Sequence, residues 1–165
     1  MDEVNAIQIR WATVNDIEKL IAVRLDYLAA AGAMDIDSTA RLIANLRVYF
    51  YKHLSAGDFL GALAEDGDGQ LVASAFLMIT ELPPGLSFPN GMTSMLMNVF
   101  TYPEFRGLGL ATALVRFIVS EASARHLDVI DLLTTNDAMP IYKRIGFADV
   151  GYFPLRLRVV TEAEL

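Results

Sequence analysis

The strongest constraint on the fold of this chain is a pair of glycines, Gly107 and Gly109, where an extended apolar run gives way to helical spacing. Residues 92–101 before them predict a strand, and the apolar positions after them predict a helix to about Arg125. A helix that starts this way exposes backbone N–H groups that have no partner inside the helix. With the helix dipole and the side chain of Arg106, these donors predict an anion site suited to pyrophosphate.

The remaining periodicity predicts a single α/β domain over residues 1–165. The predicted strands are residues 7–11, 58–65, 70–80, 92–101, 128–134, 149–153 and 155–160. The predicted helices are residues 17–28, 42–53, 110–125 and 136–145, with Asp37 and Ser38 before the second and Gly146 ending the last. Thr13 and Asp16 predict a capping box before the first helix. The order is therefore βααβββαβαββ.

Composition excludes several classes of protein and site. The 165 residues include no cysteine, which excludes disulfides, thiolate metal sites and a cysteine nucleophile, and two histidines are too few to predict a metal site. A net charge of −7 opposes binding to nucleic acid or anionic membranes and weakly favours a cationic substrate. The acidic start MDEVNAIQIR is unlike a signal peptide, and no apolar run is long enough to span a membrane, so we expect a cytoplasmic, soluble protein.

The sequence around the predicted anion site can be compared with two known phosphate-binding motifs. A P-loop sequence is absent, and a dinucleotide fingerprint would need a glycine at Thr112. Asp128 and Asp131 nevertheless follow at a suitable distance to hold a ribose, so a dinucleotide-binding domain stays open as an alternative.

Two motifs resemble the GNAT superfamily of N-acetyltransferases. That family's pyrophosphate loop (Arg or Gln, two residues, Gly, one residue, Gly or Ala) is matched by Arg106, Gly109 and Ala111. A second signature, Tyr, three residues and Gly-Phe, is matched by YKRIGF at residues 142–147. The resemblance covers essentially the whole chain. It implies a GNAT-like fold, with a mixed, mostly antiparallel twisted sheet of about seven strands and four flanking helices.

The resemblance also implies acetyl-CoA as donor and a primary amine, of a small molecule or a peptide, as acceptor. The amine would attack directly, without an acyl-enzyme and without a metal. The residues implied to bind the cofactor are Val99, Phe100, Thr101, Arg106, Gly107, Leu108, Gly109, Leu110, Ala111, Asn136 and Tyr142.

Catalytic roles follow from the same resemblance. The backbone N–H of Val99 is implied as the donor to the oxyanion, and Tyr142 as the general acid for the departing thiolate. The strand before the loop offers no Glu or His as a base, so Glu81, acting through a water, is the candidate base. Asn98 can position an amine but cannot deprotonate it.

One departure from the family pattern leaves alternatives open. Many members carry an Asn where Thr135 stands, and here Asn136 is adjacent, so either residue can contact the cofactor.

The missing strand carboxylate also keeps a second hypothesis open, a non-catalytic acyl-CoA-binding or sensor domain of the same fold. An exposed final strand pair is compatible with a homodimer.

Overall fold

The computed structural model describes residues 7–33 and 39–159. Its strands are β1 (Gln8–Trp11), β2 (Phe59–Glu65), β3 (Leu71–Glu81), β4 (Met92–Thr101) and β5 (Val129–Leu132). Its helices are α1 (Ile17–Ala30), α2 (Thr39–Ala56), α3 (Leu110–Ala124) and α4 (Met139–Ile145). Short 3-10 turns at Val14–Asp16 and Pro103–Phe105 precede α1 and α3. The predicted helix-starting residues Asp37 and Ser38 lie outside the described residues.

The strands form one open sheet in chain order, β1 to β5. Neighbours are antiparallel up to β4, whereas β4 and β5 are parallel and joined by α3. This mixed, mostly antiparallel sheet confirms the predicted fold class. It contradicts the dinucleotide-binding alternative, because that fold needs a mostly parallel, doubly wound sheet.

Helices cover both faces of the sheet, and β3 contributes to both cores. Its Leu77 is buried in the core under α3 and α4, whereas its Phe76 packs against Phe50 and Phe59 under α1 and α2. A strand covered on two sides should be apolar on both faces, as the sequence of β3 predicted. The sheet is thereby held rigidly between two helical layers.

The predicted final strand pair is wrong for the described part of the chain. Residues 152–159 form no strand, and Tyr152, Phe153, Leu155, Leu157 and Val159 are at least 85% exposed. Alternating apolar residues favour a strand, but a strand also needs a neighbour that pairs with it and covers its side chains. Within the described residues the sheet therefore has five strands, not seven. Val160 lies outside them.

No helix within residues 7–33 or 39–159 combines the length and apolar character needed to cross a membrane.

The predicted capping box is present and belongs to a wider charged network. Asp16 accepts a hydrogen bond from the backbone N–H of Thr13 at 2.8 Å, and Thr13 Oγ1 accepts one from Asn15. The Arg10 guanidinium bridges Asp16 and Glu65, with Nη2–Oδ1 at 2.7 Å and Nε–Oε2 at 2.8 Å. The network therefore ties the start of α1 to β1 and β2.

This network makes the free energy of unfolding depend on pH. Hydrogen bonds from Arg10 hold the pKa values of Asp16 and Glu65 below their usual range. Because both values are lower folded than unfolded, the stabilisation is complete above about pH 5 and is lost as the pH falls toward and through the folded values. We expect urea unfolding between pH 7 and pH 3 to show this decline.

Asp16→Asn should lower the free energy of unfolding at pH 7 by about 2 kcal/mol, because it weakens the charged hydrogen bonds that Asp16 accepts from Arg10 and Thr13. The decline between pH 5 and pH 3 should also become shallower. Glu18→Gln is the matched control, since Glu18 pairs with Arg47 on the exposed surface and should change stability little. Equal effects of the two substitutions would contradict the role of the network.

Candidate functional site

A cleft opens where β4 and β5 separate. The two strands pair only over Thr93–Leu96 and Val129–Leu132. Beyond Leu96, β4 continues to Thr101 with β3 on one side, and no described strand pairs with its other side. The backbone groups of residues 97–101 that face away from β3 are thus available to an extended ligand, except the Thr101 carbonyl, which accepts a hydrogen bond from Arg106.

A bulge in β4 shapes this free edge. Asn98 has φ 53°, in the left-handed region, and the register against β3 shifts between Ser74 and Phe76. Asn98 is almost fully buried, and its Nδ2 donates to Ser74 Oγ at 3.3 Å. A buried side-chain amide with its own partners can hold this uncommon backbone conformation in place. The bulge redirects the strand immediately before Val99.

The remaining predicted strand residues differ in what they can offer a ligand. Phe100 is buried, with ring contacts to Tyr27 and Tyr102, so its side chain belongs to the core. Val99 and Thr101 are half-buried. The backbone of these residues, rather than their side chains, is what the cleft presents.

The predicted anion loop is formed as the sequence indicated. Gly107 and Gly109 have φ values of 81° and 77°, and a Cβ built on either would meet no atom within 4 Å. The first hydrogen bond of α3 runs from the Ala113 N–H to the Gly109 carbonyl at 3.0 Å. In the described part of the chain, residues 107–112 therefore keep backbone N–H groups without a backbone acceptor. The buried side chain of Leu110 anchors the loop to the core, whereas Leu108 is exposed.

Arg106 is engaged differently from what the sequence suggested. Its backbone N–H donates to the Pro103 carbonyl at 3.3 Å, and its Nε donates to the Thr101 carbonyl at 3.1 Å. The free backbone donors therefore begin at Gly107. The side chain links the loop to the end of β4 and keeps its terminal nitrogens as a local positive charge.

Tyr142 lies on α4, which borders the cleft from the β5 side. The helix ends at Gly146, whose φ of 119° and hydrogen bonds to Tyr142 and Lys143 make it the predicted C-cap. Tyr142 is 9% exposed and packs edge-on against Phe147. Burial raises the pKa of its phenol, and the nearby phenol of Tyr27 raises it further. Tyr142 therefore stays protonated at neutral pH.

Thr135 and Asn136, the two residues that could replace the family's Asn, have different surroundings in the turn between β5 and α4. Thr135 Oγ1 accepts a hydrogen bond from the Ala138 N–H at 3.4 Å, and its carbonyl accepts one from Met139. Thr135 thus serves the local turn. Asn136 is exposed beside it.

Glu81 is not brought to the cleft. It is exposed at the end of β3, where it pairs with Met92. From Met92 to Val99 the strand advances by seven residues, about 23 Å at roughly 3.3 Å per residue. A single bridging water cannot span that distance.

Sequence reasoning missed two residues of α1 that border the cleft. Arg24 Nη1 donates to Asn98 Oδ1 at 3.1 Å, and the Arg24 guanidinium lies 5.4 Å from the centre of the Tyr27 ring. The sequence contains a signal for this contact, because Arg24 lies in the apolar stripe of α1, three residues after buried Ile21 and four after buried Leu20. An arginine in such a stripe needs a partner on the sheet.

A second contact joins α1 to the end of β4. The Tyr102 hydroxyl donates to Asp26 Oδ2 at 2.6 Å, and burial together with this hydrogen bond raises the pKa of Tyr102 well above its usual value. The helix is therefore fixed to the free-edged part of β4 at two positions.

Comparison with known proteins gives the family. The family model described as "Acetyltransferase (GNAT) domain" matches residues 57–149. An uncharacterised N-acetyltransferase, ycf52, of Pyropia yezoensis is 28% identical over 58 residues, which cover 35% of this chain and 33% of that protein. The chain thus matches about a third of the length of this curated relative.

Solved structures share the fold over nearly the whole chain. A predicted acetyltransferase from Clostridium acetobutylicum, crystallised with acetyl-CoA, is 28% identical, with a TM-score of 0.82 over 93% of this chain and 96% of that one. A GCN5-related N-acetyltransferase from Ralstonia eutropha is 24% identical, with a TM-score of 0.79 over 92% of this chain and 99% of that one. The second shows the fold alone.

The backbone angle of Gly109 gives a test of the anion loop. Gly109→Val should lower the free energy of unfolding by about 1 to 2 kcal/mol, because a β-branched residue is disfavoured at positive φ. Gly109→Asn is the matched control, since asparagine tolerates this region. Because a Cβ here has open space, equal stabilities of the two variants in urea would show that the loop does not require this angle.

Proposed function

Because this chain belongs to the GNAT acetyltransferase family, we propose that it transfers the acetyl group of acetyl-CoA to a primary amine. The observation that carries this proposal is the free edge of β4 running directly into the anion loop of α3. The crystallisation of the Clostridium acetobutylicum relative with acetyl-CoA supports the choice of donor.

The residues present suit acetyl-CoA. Unpartnered N–H groups from Gly107 to Ala111 suit the two phosphates, because such donors at a helix start favour anions. The backbone of Val99, Phe100 and Thr101 suits the amides of the pantetheine arm, which can pair like another strand. Arg106, which is exposed at the start of the loop, adds a positive charge there, and exposed Asn136 is the further candidate contact. When bound, acetyl-CoA supplies an activated thioester.

Two groups then promote the transfer. The backbone N–H of Val99, beside the bulge, would stabilise negative charge that develops on the carbonyl oxygen. The phenol of Tyr142 keeps its proton because burial raises its pKa, so it can donate that proton to the departing sulfur. The neutral amine nitrogen would form the new bond to the carbonyl carbon, and the carbon–sulfur bond would then break as the proton of Tyr142 passes to sulfur. The proton lost from nitrogen would pass to solvent or to the Tyr142 phenolate.

A second candidate function is a non-catalytic acyl-CoA sensor of the same fold. The position of Glu81 at the far end of β3 favours it, because the candidate base then takes no part in proton removal. An enzyme without this base requires an amine that is already partly deprotonated at the working pH.

Acetyl-CoA should stabilise the protein against heat. At 100 times its dissociation constant it should add about 2.7 kcal/mol, which raises Tm by roughly 5 to 10 °C for a chain of this length. NAD is the control, because it also carries an adenosine and a pyrophosphate. A rise with NAD and none with acetyl-CoA would contradict the proposed donor.

Tyr142→Phe should lower kcat about 100-fold with an active amine, because it removes the proton donor. The Tm rise with acetyl-CoA should be unchanged. Tyr51→Phe is the matched control, since Tyr51 is 64% exposed on α2. Release of the CoA thiol measures both variants, and an unchanged kcat in Tyr142→Phe would remove the general-acid role. Absence of thiol release from the wild type with every amine tested would favour the sensor.

A further inference from the structure

Arg24 is an arginine whose partners within the described residues are neutral. Its Nη1 donates to the amide oxygen of Asn98 at 3.1 Å, and its guanidinium lies over the ring of Tyr27 at 5.4 Å. No salt bridge among residues 7–33 and 39–159 includes it. By contrast, Arg10, Arg47 and Arg125 each bind a carboxylate at 2.7 to 2.8 Å.

The carboxylate nearest to Arg24 in sequence forms no salt bridge with it in the described part of the chain. Asp26 accepts the 2.6 Å hydrogen bond from the Tyr102 hydroxyl. Arg24 is itself only partly exposed, so water screens its charge less than on an open surface. A half-buried guanidinium with neutral neighbours is costly to retain unless an anion binds there.

Arg24 also lies beside the proposed point of reaction. Its partner Asn98 is the bulged residue immediately before Val99, the proposed oxyanion donor. Tyr27, which the guanidinium covers, is close enough to Tyr142 to affect its titration. An acceptor bound next to Val99 and Tyr142 would therefore lie close to the guanidinium.

We propose that Arg24 binds an anionic group of the acceptor, so that the substrate is a primary amine carrying a carboxylate or phosphate a few bonds from its nitrogen. This inference rests on the proposed acetyl transfer. A guanidinium has five N–H donors, and the bond to Asn98 orients the group while leaving a planar pair for a bidentate anion. Lysine lacks that geometry.

The charge of the whole chain makes a local cation necessary for such a substrate. A net charge of −7 repels anions at long range, and the sequence weakly favoured a cationic acceptor. Arg24 reverses the preference inside the cleft, where short-range hydrogen bonds to charge outweigh the screened distant field.

The test compares amine pairs that differ in the anionic group. L-Alanine is paired with L-alaninamide, and 2-aminoethyl phosphate with ethanolamine, so that the two pairs separate a carboxylate from a phosphate. For each pair the ratio of kcat/KM is measured by CoA release with wild type, Arg24→Gln, Arg24→Lys and Arg116→Gln. Arg116 is an exposed arginine on α3 and serves as the matched control. Comparing one pair across variants cancels the intrinsic reactivities of the two amines.

The wild type should prefer the anionic member of at least one pair. In Arg24→Gln this ratio should fall about 10- to 100-fold, as expected for losing hydrogen bonds to a charged group. Arg24→Lys should lose less, and Arg116→Gln should match the wild type. An unchanged Tm rise with acetyl-CoA in each variant shows that the fold and the donor site are retained. No anionic preference in the wild type, or the same ratio in Arg24→Gln, would overturn the inference.

Calorimetric binding of the same four amines to the CoA-loaded protein separates this inference from the proposed function. Binding of an anionic amine that Arg24→Gln weakens, without CoA release, would support the anion site and contradict the transferase. CoA release from neutral and anionic amines alike, unaffected by Arg24→Gln, would support the transferase and contradict the anion site. Neither binding nor release would overturn both.

Discussion

The short pairing between β4 and β5 determines the architecture of the site. The strands pair over four residues and then part, so β4 keeps an unpaired edge in the middle of the molecule instead of at its rim. Left-handed Asn98 turns the strand at this point, and its buried amide holds the turn. A free backbone edge is normally a liability for a protein. Here the edge lies between two helical layers, and one 3-10 turn, Pro103–Phe105, connects its end to the anion loop.

The position of α1 follows from the same strand. Arg24 reaches the bulge, and Asp26 accepts the hydroxyl of Tyr102 just beyond the end of β4. At its other end, the network of Arg10, Asp16 and Glu65 fixes the start of the helix to β1 and β2. The helix is therefore held to the sheet at both ends. The proposed acceptor and donor sides of the cleft would thus be built on one connected set of elements.

The sequence predicted the features that depend on local spacing. The bounds of β4, the glycine angles of the anion loop and the cap at Gly146 all follow from nearby residues. Long-range features did not follow, because they depend on contacts between distant segments. The parting of β5 from β4 and the contact between Arg24 and Asn98 are of this kind. The prediction of a final strand pair was wrong for the same reason. The alternation of apolar and polar residues is a local pattern, whereas a strand needs a partner strand.

Two different sources of positive potential would allow an acidic chain to bind the two proposed anionic ligands. At the start of α3 the potential comes from backbone N–H groups and the helix dipole. These groups are not ionisable, so they add nothing to the net charge of the chain. Beside the bulge it comes from the guanidinium of Arg24. Asn98 and Thr101 are three residues apart in β4, about 10 Å at roughly 3.3 Å per residue. The two proposed anion sites would therefore lie at either end of the free edge, and the thioester and the amine would meet between them.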